Sequence, residues 1–227
     1  MIYNFDIYYL ILVIPALIVA IVAQAKVKSA YNKYSKVYAS RGYTAADLTR
    51  RILDDNGLSE IRIEQVAGTL TDHYDPTAGV IRLSDSVINS SSVAAIGVAA
   101  HEAGHAIQRK TGYAPIQVRN SILPVVQIAS RVAIPLAIIG YLFSHFLMTV
   151  GIVLFSVTVF FQLVTLPVEF DASRRALKTL SENAYLEGEE LTGAKKVLTA
   201  AAMTYLASAL VAIMNLLRLV LLSRRRR

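Results

Sequence analysis

Cysteine is absent from this chain. That excludes a disulfide framework, a thiolate metal site and a thiol nucleophile. Charge is scarce as well: only 17% of the 227 residues are Asp, Glu, Lys or Arg. It is missing altogether from three long stretches. No charged residue falls between Ile7 and Ala25, in the 37 residues from Val132 to Val168 (His145 counted as neutral), or in the 20 from Leu198 to Leu217. A bilayer core takes about 20 apolar helical residues per crossing, so the chain reads as a polytopic membrane protein. A basic leader is missing too. Ala23-Gln24-Ala25 imitates a cleavage site, but the only charge ahead of the first apolar run is Asp6. The run therefore reads as an uncleaved anchor.

A net charge of +7 raises the question of nucleic acid, but the excess is not placed for it. Residues 24 to 120 carry 12 basic against 9 acidic side chains, and 168 to 200 carry 5 against 6. Most of the surplus is Arg218 and the tail Arg224–Arg227, which reads as a lipid-headgroup contact rather than a nucleic-acid site. No nucleic-acid partner is expected, and oligomeric state has no signature.

The expected organisation runs in five parts. Residues 1–25 form the anchor, and 26–120 a soluble region. Residues 121–168 hold two further transmembrane helices, 169–199 polar helices, and 200–227 a last hydrophobic helix with its basic tail. Lys26, Lys28, Lys33, Lys36 and Arg41 follow the first run, so the positive-inside rule places residue 1 outside and 24–120 in the cytoplasm. Four crossings would leave the tail outside, against the same rule. The more numerous cations of the two polar regions set the orientation. Arg131 would face protein or snorkel to the surface.

Residues 26–57 read as helical, stopped by Asn56-Gly57. From about Ile61 to Ser84 the pattern changes to β-branched residues in partial alternation, broken by the turn Asp75-Pro76-Thr77-Ala78-Gly79. A β-hairpin or small sheet is expected there. Ser91 or Ser92 should cap the next helix, Val93 to about Lys110. The fold class is thus mainly α: a polytopic helical membrane protein with a small sheet beside the helix that starts at Val93.

That helix carries the chemistry. "VAAHEAGHAIQ", residues 98–108, contains His-Glu-x-x-His. His101 and His105 are one turn apart on one helix face, so two imidazoles can reach one metal ion. Glu102 is offset and can take the proton of a water that zinc activates. The flanking residues are small or apolar, so the helix is buried. A buried helix with two His and a Glu demands partners, because unpaired polar groups there cost several kcal/mol. Half of the chain's four His lie in this motif.

A catalytic zinc takes three protein ligands and leaves a fourth position open. A third His six residues on is excluded, since Thr111 stands there. An Asp from a later membrane helix lacks its usual Asp-Gly context. A Glu from a second helix remains. Glu169, 64 residues past His105 at the end of an apolar run, fits, with Asp171, Glu182, Glu187, Glu189 and Glu190 as competitors.

The stretches "DHYDPTAGVIRLSDSV", "AAHEAGHAIQ" and "LPVEFDASRRAL" together resemble the YugP-type membrane zinc metallopeptidases of bacteria, relatives of the HtpX and Ste24 proteases in the gluzincin group. The resemblance covers essentially the whole chain. It implies one catalytic Zn2+ held by His101, His105 and Glu169, with Glu102 as general base, in a multi-pass bacterial cell-membrane protein. In the relatives' pattern the ligand Glu precedes an aromatic, any residue, Ala and Asp. Here Ser173 stands at the Asp position, so the groups that orient the ligands must differ, with Asp171 a candidate.

Candidates to stabilise the transition state are His73, Tyr74, Tyr113, Arg174 and Arg175. Peptidases of this kind bind substrate backbone on an edge strand, and Val80, Ile81, Arg82 and Leu83 are the candidate strand. The expected function is zinc-dependent cleavage of membrane-associated or misfolded polypeptides at the cytoplasmic face. The alternative is a zinc-containing membrane scaffold or adaptor that does not cleave.

Overall fold

The computed structural model describes residues 6–225. Residue 1, and Arg226 and Arg227 of the basic tail, lie outside the described residues. The described chain is mainly helical with one small sheet. Its elements are α1 (Ile14–Tyr34, entered through a π-helical turn at Tyr9–Val13), α2 (Ala45–Asp55), β1 (Arg62–Val66), β2 (His73–Asp75), β3 (Val80–Ser84), α3 (Val93–Lys110), α4 (Ala114–Phe143), α5 (His145–Glu182) and α6 (Gly188–Arg225). Four helices, Tyr9–Tyr34, α4, α5 and α6, are long and apolar enough to cross a membrane. The chain divides into two compact units.

One unit comprises Met1–Gln24, Pro115–Pro167 and Met203–Arg227. Its helices meet through small residues, the usual device where no hydrophobic effect drives helices together. A Cβ on Gly140 of α4 would lie 2.1 Å from the backbone nitrogen of Met148, and one on Gly151 of α5 would lie 2.6 Å from that of Ala137. With Ala133 and Ala137 fully buried, α4 and α5 pack backbone to backbone after a turn at Ser144. Large apolar side chains such as Ile21, Ile128, Phe143 and Phe146 face outward. Arg218 pairs with Asp6 and lies 5.1 Å from the centroid of the Tyr9 ring. Arg131 is exposed on α4, so it is not buried against protein among the described residues.

The other unit comprises Ala25–Ala114 and Val168–Ala202. Its core joins Leu48, Ile52 and Leu53 of α2, Ile81 and Leu83 of β3, and the alanine-rich body of α3. Residues 26–57 are not one helix. The chain leaves α1 after Tyr34 and passes Gly42 at φ +69°. It starts α2 through a capping box in which the Thr44 and Asp47 side chains each take the other's backbone N–H. The intervening segment pairs instead with the run before α3: Ala39 N–H donates to Ser91 O and Ala45 N–H to Ser90 O.

The expected hairpin is present, with β2 and β3 antiparallel across the Asp75–Gly79 turn. β1 adds in parallel on the other side of β3, giving the order β1-β3-β2. This corrects the edge-strand expectation. Val80, Ile81, Arg82 and Leu83 form the central strand, hydrogen-bonded on both sides, and have no free edge to offer a peptide. The open edge facing α3 belongs to β2.

α3 starts where the sequence places it. Ser92 caps it by accepting the Ala95 N–H, and the helix runs to Lys110. Two boundaries are longer than expected. α4 begins at Ala114 rather than near Ile122, and α5 continues through Pro167 to Glu182 without a break.

Candidate metal centre

α3 carries His101, Glu102 and His105, and α5 passes it closely enough to bring Glu169 alongside. The approach depends on one residue. Gly104 lies one position before His105, and a Cβ there would sit 2.7 Å from the carbonyl oxygen of Ala172. With hydrogen at that position the two backbones touch, and Glu169, one turn before Ala172, reaches the imidazoles.

Among the described residues, His101, His105 and Glu169 are the group whose ligand atoms converge, all within 4.8 Å of one another. Glu169 Oε2 is 3.2 Å from His101 Nε2 and 3.6 Å from His105 Nε2. Glu169 and His105 are buried. Burial opposes a charged His105, but the Glu169 and Glu102 carboxylates outweigh it and raise its pKa above the ordinary imidazole value. Glu182, Glu187, Glu189 and Glu190 are outside the group. Glu187 faces Arg41 and Glu190 accepts the Ser40 N–H.

Each imidazole is held from behind. His101 Nδ1 is 3.1 Å from Ser173 Oγ, so the residue that replaces the relatives' Asp still contacts the ring. His105 Nδ1 is 3.0 Å from Gln108 Oε1. The other end of the Gln108 amide donates to Val168 O at 2.8 Å and to Asp171 Oδ2 at 3.0 Å. With Nδ1 engaged in both rings, Nε2 is the nitrogen left to face Glu169. Gln108 is fully buried and went unrecognised in the sequence. Its contact with His105 follows from i,i+3 spacing on a helix, but its two partners on α5 have no local signature.

The remaining candidates fall elsewhere. Asp171 meets the site through Gln108 and is gripped by Arg174 and by Arg175 Nε at 2.6 Å. Both arginines thus point at a carboxylate on their own helix. Arg175 also stacks 5.7 Å from the Tyr113 ring centroid. His73 sits on the sheet face that carries Arg82, with Nδ1 2.8 Å from Thr71 O. Tyr74 does reach the site, through its backbone: its N–H donates to Glu102 Oε2 at 2.9 Å. Nothing in the residue's identity signals that contact.

A family model described as "Putative neutral zinc metallopeptidase" matches residues 9–224. The chain belongs to this family. It is also 51% identical over 216 residues to the "Putative membrane protease YugP" of Bacillus subtilis (strain 168), covering 94% of this chain and 96% of that protein. No solved structure matches it. Membership of a zinc metallopeptidase family implies a metal, and the side chains fit one. Two imidazole nitrogens and one carboxylate oxygen converge, which is a donor set zinc takes in hydrolytic sites.

Proposed function

We propose that this member of the family is a membrane-embedded endopeptidase that hydrolyses membrane-associated or misfolded polypeptides at the cytoplasmic face. His101, His105 and Glu169 would hold the zinc ion. When bound, zinc supplies a Lewis acid that polarises the substrate carbonyl and lowers the pKa of water towards ~7. The chain supplies the rest. Glu102 accepts the proton of the attacking water and returns it to the amine nitrogen as the C–N bond breaks. Its Oε2 is held by Tyr74 N–H, and Oε1 makes no hydrogen bond among the described residues, so it is free for the proton. The single observation that carries the reading is this acid-free base, one residue from a metal ligand and turned to the sheet edge.

β2 is the strand that would dock the substrate. In an antiparallel ladder a residue's N–H and C=O point to the same side. Tyr74 N–H points away from β3, towards Glu102, so its carbonyl lies on the same open edge and can accept a peptide N–H. The basic residues after the first membrane segment support the cytoplasmic orientation.

The test is casein hydrolysis by the full-length protein in detergent, with and without chelator. Glu102→Gln should retain zinc and lose hydrolysis. A Glu102→Gln protein that cleaves at the wild-type rate would overturn the mechanism. A zinc-loaded wild type that cleaves nothing would favour the non-catalytic scaffold.

A further inference from the structure

A second feature lies along the same helix. A cleft of about 390 Å³ opens beyond Tyr74, with Leu58, Ile61 and Ala106 as its apolar floor. Its rim carries Arg109, Lys110 and Glu60, all exposed. Arg109 donates to Pro76 O, and Lys110 to the carbonyls of Asn56 and Gly57. Those contacts use part of each cation's donor set, and neither is in an ion pair with a carboxylate of the described residues. The bland reading makes them tethers: Arg109 would pin the β2–β3 turn and Lys110 would close the end of α2. Tethering alone does not require two cations on the rim of one apolar cleft.

The cleft is also in line with the chemistry. Tyr74 N–H meets Glu102, and Pro76 O meets Arg109, so β2 and its turn run alongside α3 in the same direction. Arg109 is seven residues past Glu102, about 10 Å along a helix. An extended peptide rises about 3.3 Å per residue, so a chain docked on β2 would reach the cleft about three residues from the bond beside Glu102.

We infer that this cleft is a subsite for a carboxylate of the substrate, taken by Arg109 and Lys110, with the adjoining methylenes or side chain on the apolar floor. The carboxylate is that of an acidic residue within the substrate or of its free C-terminus. The inference rests on the peptidase reading and names the substrates that site would prefer.

The experiment uses labelled peptides, ten residues long and otherwise neutral, with one Glu, Gln or Lys stepped along them. Each is made with a free and with an amidated C-terminus. Binding to the zinc-loaded, full-length Glu102→Gln protein is read by fluorescence anisotropy, and the bond that wild type cuts is found by mass spectrometry. Glu should bind tighter than Gln by roughly three- to tenfold, the size of one or two solvent-exposed ion pairs, at one position about three residues from that bond, with Lys weakest. If the free terminus instead binds tighter than the amidated one whatever the stepped residue, the terminal carboxylate is the source.

The preference should vanish in Arg109→Gln/Lys110→Gln and survive in Arg109→Lys/Lys110→Arg, which keeps the charge and controls for folding. Equal binding of the Glu, Gln and Lys peptides, and of free and amidated termini, while wild type still cuts them, overturns the subsite and leaves the peptidase standing. Charge discrimination in binding without any cleavage by zinc-loaded wild type overturns the peptidase and leaves an acidic-peptide binding cleft.

Discussion

Replacing Gly104 by alanine sets two effects against each other on one atom. In an isolated helix the change stabilises by about 1 kcal/mol, because glycine loses more backbone entropy. Here the added methyl would lie 2.7 Å from the Ala172 carbonyl oxygen and 3.3 Å from its Cα, while ordinary contact begins near 3.4 Å. α3 and α5 must then separate by about 0.7 Å (3.4 − 2.7) at that point. Both partners are backbone, so no rotamer change relieves the clash. Overpacking of this kind costs about 1–3 kcal/mol, so the net effect is a loss of up to about 2 kcal/mol once the propensity gain is subtracted. Metal sites tolerate about 0.2 Å in ligand distance, and the separation displaces Glu169 from the imidazoles by more than that. We expect zinc affinity to fall about 10- to 100-fold, the range seen when the groups supporting a metal site are disturbed. The assay is competition against a chromophoric chelator with the full-length protein in detergent. Gly97 supplies the control on the same helix, since its Cβ would lie 3.5 Å from the Ala194 Cβ, an ordinary contact. Gly97→Ala should be neutral or stabilised and bind zinc normally. The reasoning fails if Gly104→Ala binds zinc within threefold of wild type and is as stable as Gly97→Ala.

Further outcomes follow from the ligands' supports and charges. Gln108→Leu removes the group behind His105 and the amide that donates to Val168 O and Asp171. Zinc affinity should drop about 10- to 100-fold, measured by the same competition. Ser173→Ala leaves His101 Nδ1 without its hydroxyl partner and should weaken zinc binding less, by roughly tenfold at most, with the fold unchanged by circular dichroism. The raised pKa of His105 stabilises the zinc-free fold below the ordinary imidazole value, and that stabilisation fades as pH rises through the folded value. Zinc competes for that proton, so affinity should fall on acidification, beginning above pH ~6.5. Titration calorimetry in buffers of different ionisation enthalpy should show proton release.

The parts of this fold that were readable in the sequence are those fixed by neighbours in sequence. The Ser92 cap, the helix from Val93 to Lys110 and the pairing of His101 with His105 follow from spacing and local hydrogen bonding. The hairpin followed from its turn. The identity of the edge strand did not, because it depends on β1 pairing in parallel with β3, a contact between distant segments that no turn residue announces. The break between α1 and α2 was hidden for a different reason. Residues 35–44 hold Ser, Val, Tyr, Gly and Thr, whose weak helix propensity does not by itself end a helix, and Gly42 and the Thr44–Asp47 box mark the restart. The loss of apolar residues after Val168 suggests a helix boundary there, yet α5 runs through Pro167 and on to Glu182. Gln108 has no signature in the sequence, since its partners on α5 lie 60 and 63 positions away.

The account stands on α3 and α5 jointly holding one metal ion. Its most direct test is the zinc content of purified wild type, Glu102→Gln and Glu169→Ala proteins, by elemental analysis after gel filtration. One equivalent is expected in the first two, and a large loss in Glu169→Ala. Zinc retained in full by Glu169→Ala, or absent from wild type under zinc-replete purification, would contradict the account.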